Sequence, residues 1–315
     1  MSPAGSIVIV TFNSAEHIES CLRSLNEPGW ERIVVDNASH DATVERARAV
    51  SGTLVLANPE NRGFAAAVMQ GARAARGPVL LLLNPDVTAE AGALAALRAA
   101  VEPDGVAAAG GRLLNPDGTT QVGFTVRRFP TLATALAEVL LFNRLFPRNL
   151  WNTRYRCLDL NYDQPAEVEQ PAGACLLVKR HAWEEAGGLD EEFFPLWFED
   201  VDLCRRLRAR SGRIVYEPRA RFRHAGGHSV ASLAASARQL YWYRNLLRYF
   251  GKHHGSLAAG VLRGAVLVGM LLRMLAITVG ARPQPGGWHA DMSAYAQVIR
   301  YCVFGGVPSG DTVVE

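Results

Sequence analysis

The chain has 315 residues, of which 49% are apolar and 20% charged, so it can bury a large core and is not broadly disordered. Its net charge of +3 is unevenly spread: no Asp or Glu lies between Glu217 and Asp291, a window holding ten Lys and Arg residues. Against the total of +3, that window carries +10 and the rest of the chain −7. This asymmetry predicts an anionic partner: nucleic acid, a phospholipid surface or a diphosphate substrate.

Cysteine usage and the N-terminus both indicate a cytoplasmic protein. The five cysteines are odd in number and form no CxxC pair, which argues against a disulfide framework and a zinc site. The first predicted strand begins within a few residues of the N-terminus, without the basic start and apolar run of a signal peptide. We therefore expect a reducing compartment.

Strands and helices alternate through the first 110 residues. The predicted strands cover residues 6–11, 32–35, 54–57, 79–83 and 106–110. The predicted helices begin near residues 14, 42, 61 and 90. The strands are continuous apolar runs, and such runs are typical of a mainly parallel sheet covered by helices on both faces. We predict an α/β fold.

Polar residues follow four of these strands: Asn13, Asp36, Asn61 and Asp86. Ligands of such sheets bind beyond the carboxyl ends of the strands, so the four positions form one candidate site. No GxGxxG follows the first strand and no GxxxxGK[ST] occurs, which excludes the usual dinucleotide oxidoreductases and P-loop NTPases. A metal ion bound at Asp86 is the expected alternative for holding a phosphate.

The middle of the chain is less regular. We expect a hairpin pairing residues 112–114 with 121–126 around the turn 115–118, an apolar helix over 132–146, and a polar loop over 155–165. A further strand over 170–178 is entered through Gly173 and Ala174, small residues that let a ligand approach the backbone. Residues 213–216 form the next predicted strand.

Three carboxylates follow the apolar run 193–198: Glu199, Asp200 and Asp202. Desolvation by apolar neighbours raises a carboxylate's proton affinity and makes it a better base. An ordinary structural role is also open, in which Asp200 caps the helix that follows and Asp202 forms a surface ion pair with Arg206. Taken alone, this stretch favours the structural role.

The last third of the chain is predicted to be helical, over 233–250 and 257–281. The second helix is apolar and long enough to span a bilayer, but Arg263 and Arg273 interrupt it. The two arginines lie about 80° apart around the helix. A helix that lies in the membrane interface, with both arginines facing the headgroups and water, is therefore preferred to a spanning one. A soluble core helix remains the alternative. The aromatics of residues 241–243 suit either a headgroup belt or the core.

Seven motifs carry a family resemblance over roughly residues 5–250. They are SIVIVTFNS, VVDNASHDAT, ANPENRGFAAAVMQG, LLLNPDV, QPAGACLLVKR, GGLDEEFFPLWFEDVDLCRRLRARSGRIVYEP and HAGGHS. In this order they resemble the inverting family 2 glycosyltransferases, and most closely the rhamnosyltransferase branch that acts in bacterial cell-wall and O-antigen assembly. The resemblance implies a GT-A fold, a nucleotide-sugar donor and a divalent cation, Mg²⁺ or Mn²⁺.

The resemblance also implies roles for residues at the nucleotide end of the site. Asp36 would contact the pyrimidine of the donor, and Thr11 and Asn13 would line the nucleotide pocket. Asn61 and Gly63 would help to hold the base and the ribose.

Other roles implied by the resemblance concern the chemistry. Asn84-Pro85-Asp86 stands where the family has its DxD motif, so Asp86 would carry most of the metal contact and Asn84 would lie beside the donor. Asp200 occupies the position of the catalytic base, with Glu199 as a second candidate or as an acceptor-orienting group. His224, with His228 close behind it, would contact the diphosphate or the metal.

We therefore expect a GT-A domain over residues 1–230 and a helical, membrane-associating region over 231–315. The expected donor is a dTDP-sugar, and the acceptor a lipid-linked or other glycan. The expected location is the cytoplasmic face of the membrane, where the protein binds an anionic surface peripherally, as a monomer or homodimer. Nucleic acid is not an expected partner, because the basic residues are interleaved with a long apolar run. A nucleotidyltransferase and a non-catalytic nucleotide-binding protein are the alternatives.

Overall fold

The computed structural model describes residues 3–226, 235–279 and 287–305. The chain divides into two compact units. The first comprises Met1–Phe129, Tyr155–Pro195 and Glu199–Ser229, and the second Pro130–Arg154, Leu196–Phe198 and Val230–Glu315. The second unit thus includes residues 130–154 and 196–198, which the sequence-based boundary at residue 230 assigns to the first domain.

The N-terminal half of the first unit confirms the predicted alternation. Its elements are β1 (Gly5–Thr11), α1 (Ile18–Ser24), β2 (Trp30–Asp36), α2 (Thr43–Ala49), β3 (Thr53–Ala57), α3 (Phe64–Ala74) and β4 (Val79–Leu83). The four strands are parallel and lie in the order β3-β2-β1-β4. Both faces of β1 are buried, which explains why its sequence lacks a polar alternation.

The other half of the sheet is mixed. It contains β5 (Val87–Ala89), α4 (Ala93–Ala100), β6 (Val106–Leu114), β8 (Ala166–Val168), β10 (Cys175–Lys179), α8 (Arg180–Ala186), α9 (Glu199–Ala209) and β11 (Arg213–His224). Strand β10 inserts antiparallel between β4 and β6, while β11 runs parallel to β6. An apolar run buried on both faces carries no information about strand direction, so the sequence did not reveal this antiparallel insertion.

The predicted hairpin forms only beside its turn, where the Gln121 N–H donates to the Leu113 carbonyl at 2.9 Å, and the end of its second strand pairs elsewhere. Leu114 and Thr120 form an isolated bridge across the turn. Strand β7 (Val126–Arg127) pairs instead with β9 (Gln170–Pro171) in a separate two-stranded sheet. This small sheet brings Gln170 and the turn after it to the carboxyl edge of the main sheet.

The second unit is helical. It contains α5 (Leu132–Val139), α6 (Phe142–Leu145), α7 (Leu150–Tyr155), α10 (Ala235–Thr278) and α11 (Gly287–Phe304). The single helix predicted over 132–146 is broken at Leu141, which has φ 66°. Helix α10 is interrupted at Gly255 (φ 82°, ψ 170°), so its two halves match the two predicted helices.

The apolar stretch Ser236–Thr278 is long and apolar enough to cross a membrane by length and composition. Two arginines of this stretch, Arg263 and Arg273, contact neighbouring helices. Arg273 donates from Nη1 to the carbonyl oxygen of Val139 at 2.6 Å and so caps the end of α5. Arg263 lies 3.5 Å from the carbonyl oxygen of Cys302. Cationic side chains stabilise helix C-termini, so both arginines serve helix packing. Tyr241 and Tyr243 are buried, which favours their core alternative.

Candidate active site

The ends of β1 and β2 are joined by a hydrogen-bonded cluster. Thr11 Oγ1 donates to Oδ1 of Asp36 at 2.7 Å, and the Ser39 N–H donates to Oδ2 of Asp36 at 2.9 Å. The Asn13 N–H donates to Ser39 Oγ at 2.8 Å. Three of the predicted nucleotide-binding residues therefore lie together. The buried Asp36 carboxylate is held by its neighbours and organises this loop.

Asn61 and Gly63 lie beside this cluster. Oδ1 of Asn61 accepts the Gly63 N–H at 3.0 Å, and Asn37 Nδ2 donates to the Gly63 carbonyl at 3.1 Å. Gly63 has φ 81°, and a Cβ there would lie 2.7 Å from Cδ2 of Phe194. Only glycine fits this close approach. Asn37, which sequence reasoning did not single out, connects the loop after β2 to the start of α3.

Asp86 and His224 face each other where β5 pairs with the end of β11. His224 Nε2 lies 3.6 Å from Oδ2 of Asp86, and that oxygen accepts the Gly226 N–H at 3.1 Å. Both side chains are buried, and Oδ1 of Asp86 has no hydrogen-bond partner among the described residues. A buried carboxylate oxygen without a partner is costly in an empty site and suits a cation ligand.

Gln121 fixes the imidazole of His224. Gln121 Nε2 donates to the His224 carbonyl at 2.8 Å, which turns Gln121 Oε1 toward Nδ1 of the ring at 2.8 Å. Nδ1 therefore carries the proton, and the lone pair of Nε2 faces Asp86. Phe124 stacks on the ring with centroids 5.1 Å apart. Burial lowers the pKa of His224, against the opposing effect of Asp86, which favours the neutral ring.

The turn 172–174 connects this region to the predicted base. The Asn84 N–H donates to the Ala174 carbonyl at 3.1 Å, and the Gly173 N–H donates to Oδ2 of Asp200 at 2.9 Å. The turn thus touches both the end of β4 and the start of α9. Asn84, Gly173, Ala174 and Asp200 are brought to one edge of the sheet.

Asp200 is held by three donors and is partly exposed. Besides Gly173, Gln170 Nε2 donates to Oδ2 at 3.2 Å, and the Val201 N–H donates to Oδ1 at 2.8 Å. Desolvation raises the pKa of Asp200, although the two backbone donors and the charge of Arg127 oppose the rise. The result is an oriented carboxylate with raised proton affinity, which are the properties of a general base.

Glu199 differs from its neighbour. It is buried, and its Oε2 has no hydrogen-bond partner among the described residues. Burial, followed by the charge of Asp200, raises the pKa of Glu199 well above its ordinary value. Such an environment disfavours the charged carboxylate relative to the protonated acid.

Asp202 has a structural role, but the surface ion pair expected for it is wrong. Asp202 is fully buried, and Arg206 Nε donates to its Oδ2 at 2.8 Å. Arg206 also donates to the carbonyls of Ala186 and Gly188, at the end of α8. The pair therefore connects α9 to α8.

The comparisons with known proteins identify the family. Residues 6–168, just over half of the chain, match the family model "Glycosyl transferase family 2". The chain is 32% identical over 299 residues to the N-acetylglucosaminyl-diphospho-decaprenol L-rhamnosyltransferase of Mycobacterium tuberculosis, covering 85% of this chain and 94% of that protein. The chain belongs to glycosyl transferase family 2.

One further relative supports this glycosyltransferase assignment, and one solved structure shows the fold. Rhamnosyltransferase WbbL of Escherichia coli is 24% identical over 258 residues, covering 78% of this chain and 92% of that protein. The mannosyltransferase PcManGT of Pyrobaculum calidifontis, solved with GDP-Man and Mn²⁺, has a TM-score of 0.58 at 18% identity and covers 97% of this chain and 87% of that one. This likeness shows a GT-A fold.

The glycosyltransferase has donor atoms suited to a divalent cation, although few of them. Among residues 3–226, 235–279 and 287–305, no group of three His, Cys, Asp or Glu side chains could hold a metal ion. The free Oδ1 of Asp86 and the Nε2 lone pair of His224 nevertheless fit a cation that takes its other ligands from water and a diphosphate. His228 lies outside the described residues.

Two residues of the glycosyltransferase site escaped the sequence analysis. Gln170 belongs to a motif that carried the family resemblance, but its contact with Asp200 depends on the unexpected pairing of β9 with β7. Gln121 lies in the segment predicted as a strand of the hairpin, and its distance of 103 residues from His224 gave no local signal. Arg221 and Arg223 of β11 both pair with Glu90.

Proposed function

We propose that this protein transfers L-rhamnose from dTDP-L-rhamnose, with inversion, to a glycan carried on a polyprenyl diphosphate during assembly of a bacterial cell wall or O-antigen. A polysaccharide acceptor is a variant of the same proposal. The identity of the sugar is supported by the two rhamnosyltransferase relatives, and that of the acceptor by the lipid diphosphate in the name of the mycobacterial one. The observation that carries the reaction type is the oriented carboxylate of Asp200.

The reaction is a single displacement. The Asp200 carboxylate takes the proton of an acceptor hydroxyl while that oxygen forms a bond to the anomeric carbon of the donor. The bond from the anomeric carbon to the diphosphate breaks on the opposite face, and dTDP leaves with the electron pair. Gly173, Gln170 and Val201 hold Asp200 in one orientation, which supplies the positioning that a base requires.

Glu199 is the second carboxyl group of the site and orients the acceptor. Its burial beside Asp200 favours the protonated form, which would lessen the negative charge that opposes donor binding. A protonated carboxyl can also donate a hydrogen bond to an acceptor hydroxyl and orient it toward Asp200.

The nucleotide binds at the other end of the same edge. Thr11, Asn13 and Asp36 line the pyrimidine pocket, and Asn61 and Gly63 border the base and ribose. Asp86 and His224 would hold Mg²⁺ or Mn²⁺, which neutralises charge on the departing diphosphate. We assign the protein to the cytoplasmic face of the membrane as a peripheral enzyme, because α10 is apolar and carries basic but no acidic residues, which suits an anionic surface.

A donor screen followed by a transfer assay tests the function. Thermal unfolding with dTDP, UDP and GDP, each with and without Mn²⁺, should show the largest stabilisation for dTDP with Mn²⁺. A nucleotide at ~100 times its dissociation constant adds about 2.7 kcal/mol. Labelled rhamnose should then pass to a synthetic N-acetylglucosaminyl diphosphate lipid. No transfer of rhamnose under conditions where dTDP binds would contradict the proposal.

A further inference from the structure

The segment 142–152 of the second unit has polar side chains inside and apolar ones outside. Asn149 Nδ2 donates to Oδ1 of Asn143 at 2.7 Å, and the Asn152 N–H donates to Oδ1 of Asn149 at 2.9 Å. The buried Asn152 donates from Nδ2 to the Pro147 carbonyl at 2.6 Å. The asparagines therefore bond to one another and to the backbone, while Oδ1 of Asn152 has no hydrogen-bond partner among the described residues.

The outer side carries large apolar side chains. The exposed fractions are 71% for Leu145, 58% for Phe146, 66% for Leu150 and 47% for Trp151. We call these four residues the docking patch. Phe142 lies beneath it, with ring centroids 5.0 Å from Phe146 and 5.7 Å from Trp151. A contiguous exposed apolar patch of this kind marks an interaction surface rather than scattered surface residues.

The charges around the docking patch identify its partner. No Asp or Glu occurs between Glu138 and Asp159. Arg144, Arg148 and Arg154 are all exposed, and Glu138 accepts a hydrogen bond from Asn143 at 2.8 Å. Two copies of the patch facing each other would bring these like charges together, which opposes self-association. Arginines beside exposed Phe, Leu and Trp match the boundary between anionic headgroups and acyl chains.

We propose that the docking patch inserts into an anionic lipid bilayer, with Arg144 and Arg148 on the lipid phosphates. Backbone groups that enter an apolar phase need partners within the protein, and the asparagine contacts supply several of them. This contact is additional to any made by α10, and it does not depend on the transferase activity proposed above.

Flotation of the full chain with phosphatidylcholine vesicles, with and without phosphatidylglycerol, tests the proposal. Leu145→Gln/Phe146→Gln should reduce partitioning into the mixed vesicles about tenfold or more, because two apolar side chains no longer insert. Arg144→Gln/Arg148→Gln should reduce partitioning only where phosphatidylglycerol is present. Leu54→Gln, which changes a Leu that is 48% exposed in the first unit, is the matched control and should bind as wild type.

Two measurements separate insertion of the docking patch from misfolding of a variant and from self-association. Brominated lipids should quench wild-type tryptophan fluorescence more than that of Trp151→Phe, and circular dichroism should show that each variant is folded. Leu271→Gln/Leu275→Gln, which changes two exposed leucines of α10, measures the separate contribution of that helix to vesicle binding. Wild-type partitioning of folded Leu145→Gln/Phe146→Gln would overturn the proposal. Loss of a dimer in sedimentation with unchanged vesicle binding would also overturn it, since it would make the patch an interface between copies.

Discussion

Gly173 donates its N–H to Oδ2 of Asp200 at 2.9 Å, and a Cβ at position 173 would stand 3.0 Å from that same oxygen. The contact that orients the base therefore also leaves no room for a side chain. The neighbouring Ala174 carbonyl accepts the Asn84 N–H, so one short turn holds both the base and the end of β4.

Gly173→Ala should lower kcat about tenfold while changing the free energy of unfolding little. The new methyl group forces Asp200 to move by a fraction of an ångström, and catalysis is sensitive to small displacements of a reacting group. Steady-state kinetics and chemical unfolding measure the two effects. Gly251→Ala is the control, because a Cβ at position 251 meets open space. Equal kcat in Gly173→Ala and wild type would argue against this placement of the base.

The acid limb of the pH–rate profile should depend on Arg127. Desolvation raises the pKa of Asp200, and the positive charge of Arg127 partly offsets that rise. A base works when deprotonated, so kcat/KM should fall as pH drops through a value above that of an ordinary aspartate. Arg127→Gln removes the opposing charge and should move this limb to higher pH. Arg128→Gln, which changes an arginine paired with Asp159, should leave it in place. If Arg127→Gln leaves the acid limb in place, the limb reflects the titration of a group other than Asp200.

Gln121→Leu should weaken Mn²⁺ binding in the presence of dTDP by about 10- to 100-fold, the usual effect of removing a group that orients a metal-binding histidine. Without Gln121 Oε1, nothing fixes the proton on Nδ1 of His224. Calorimetry measures the affinity directly. His224→Ala, which removes the histidine itself, gives the loss of Mn²⁺ affinity with which Gln121→Leu is compared. Thr119→Ala, a change in the same turn, is the control. Unchanged affinity in Gln121→Leu would show that the ring needs no such support.

Asp202→Ala should destabilise the first unit by about 3–5 kcal/mol, because it removes the carboxylate that balances the charge of the partly buried Arg206. Chemical unfolding measures this loss, and dTDP affinity of the folded protein should stay at the wild-type value. Glu191→Ala, which removes an exposed partner of Arg73, should cost less than about 1 kcal/mol. Loss of dTDP affinity in folded Asp202→Ala would show that Asp202 belongs to the site rather than to the scaffold.

The sequence predicted the N-terminal half of the fold well, because strong apolar periodicity decides it. Thr11 and Asp36 end neighbouring strands, and their hydrogen bond follows from parallel register. The direction of β10 could not be predicted, since a strand buried on both faces reads the same in either direction. The helix break at Leu141 could not be predicted either, because the apolar run of the sequence continues across that position.

Some residues of the candidate site could be singled out from the sequence, and others could not. Asp200 and Asp86 were singled out because they follow apolar runs and stand at positions where the family resemblance implies a base and a metal ligand, and their roles stay predictions. Gln121 and Gln170 were missed, since a glutamine has no distinctive pattern until distant pairing brings it to its partner. The burial of Asp202 was missed because an acidic and a basic residue four positions apart have the same sequence spacing whether their ion pair is exposed or buried.

The rate of rhamnosyl transfer by Asp200→Asn tests the role of the base most directly. An amide keeps the shape of the carboxylate but cannot take a proton, so transfer should fall by about 10²–10⁴. Calorimetry should at the same time give wild-type affinity for dTDP with Mn²⁺, because the hydrogen-bond partners of Asp200 differ from those of Thr11 and Asp36. Transfer within a few-fold of wild type by Asp200→Asn would contradict the assignment of Asp200 as the general base.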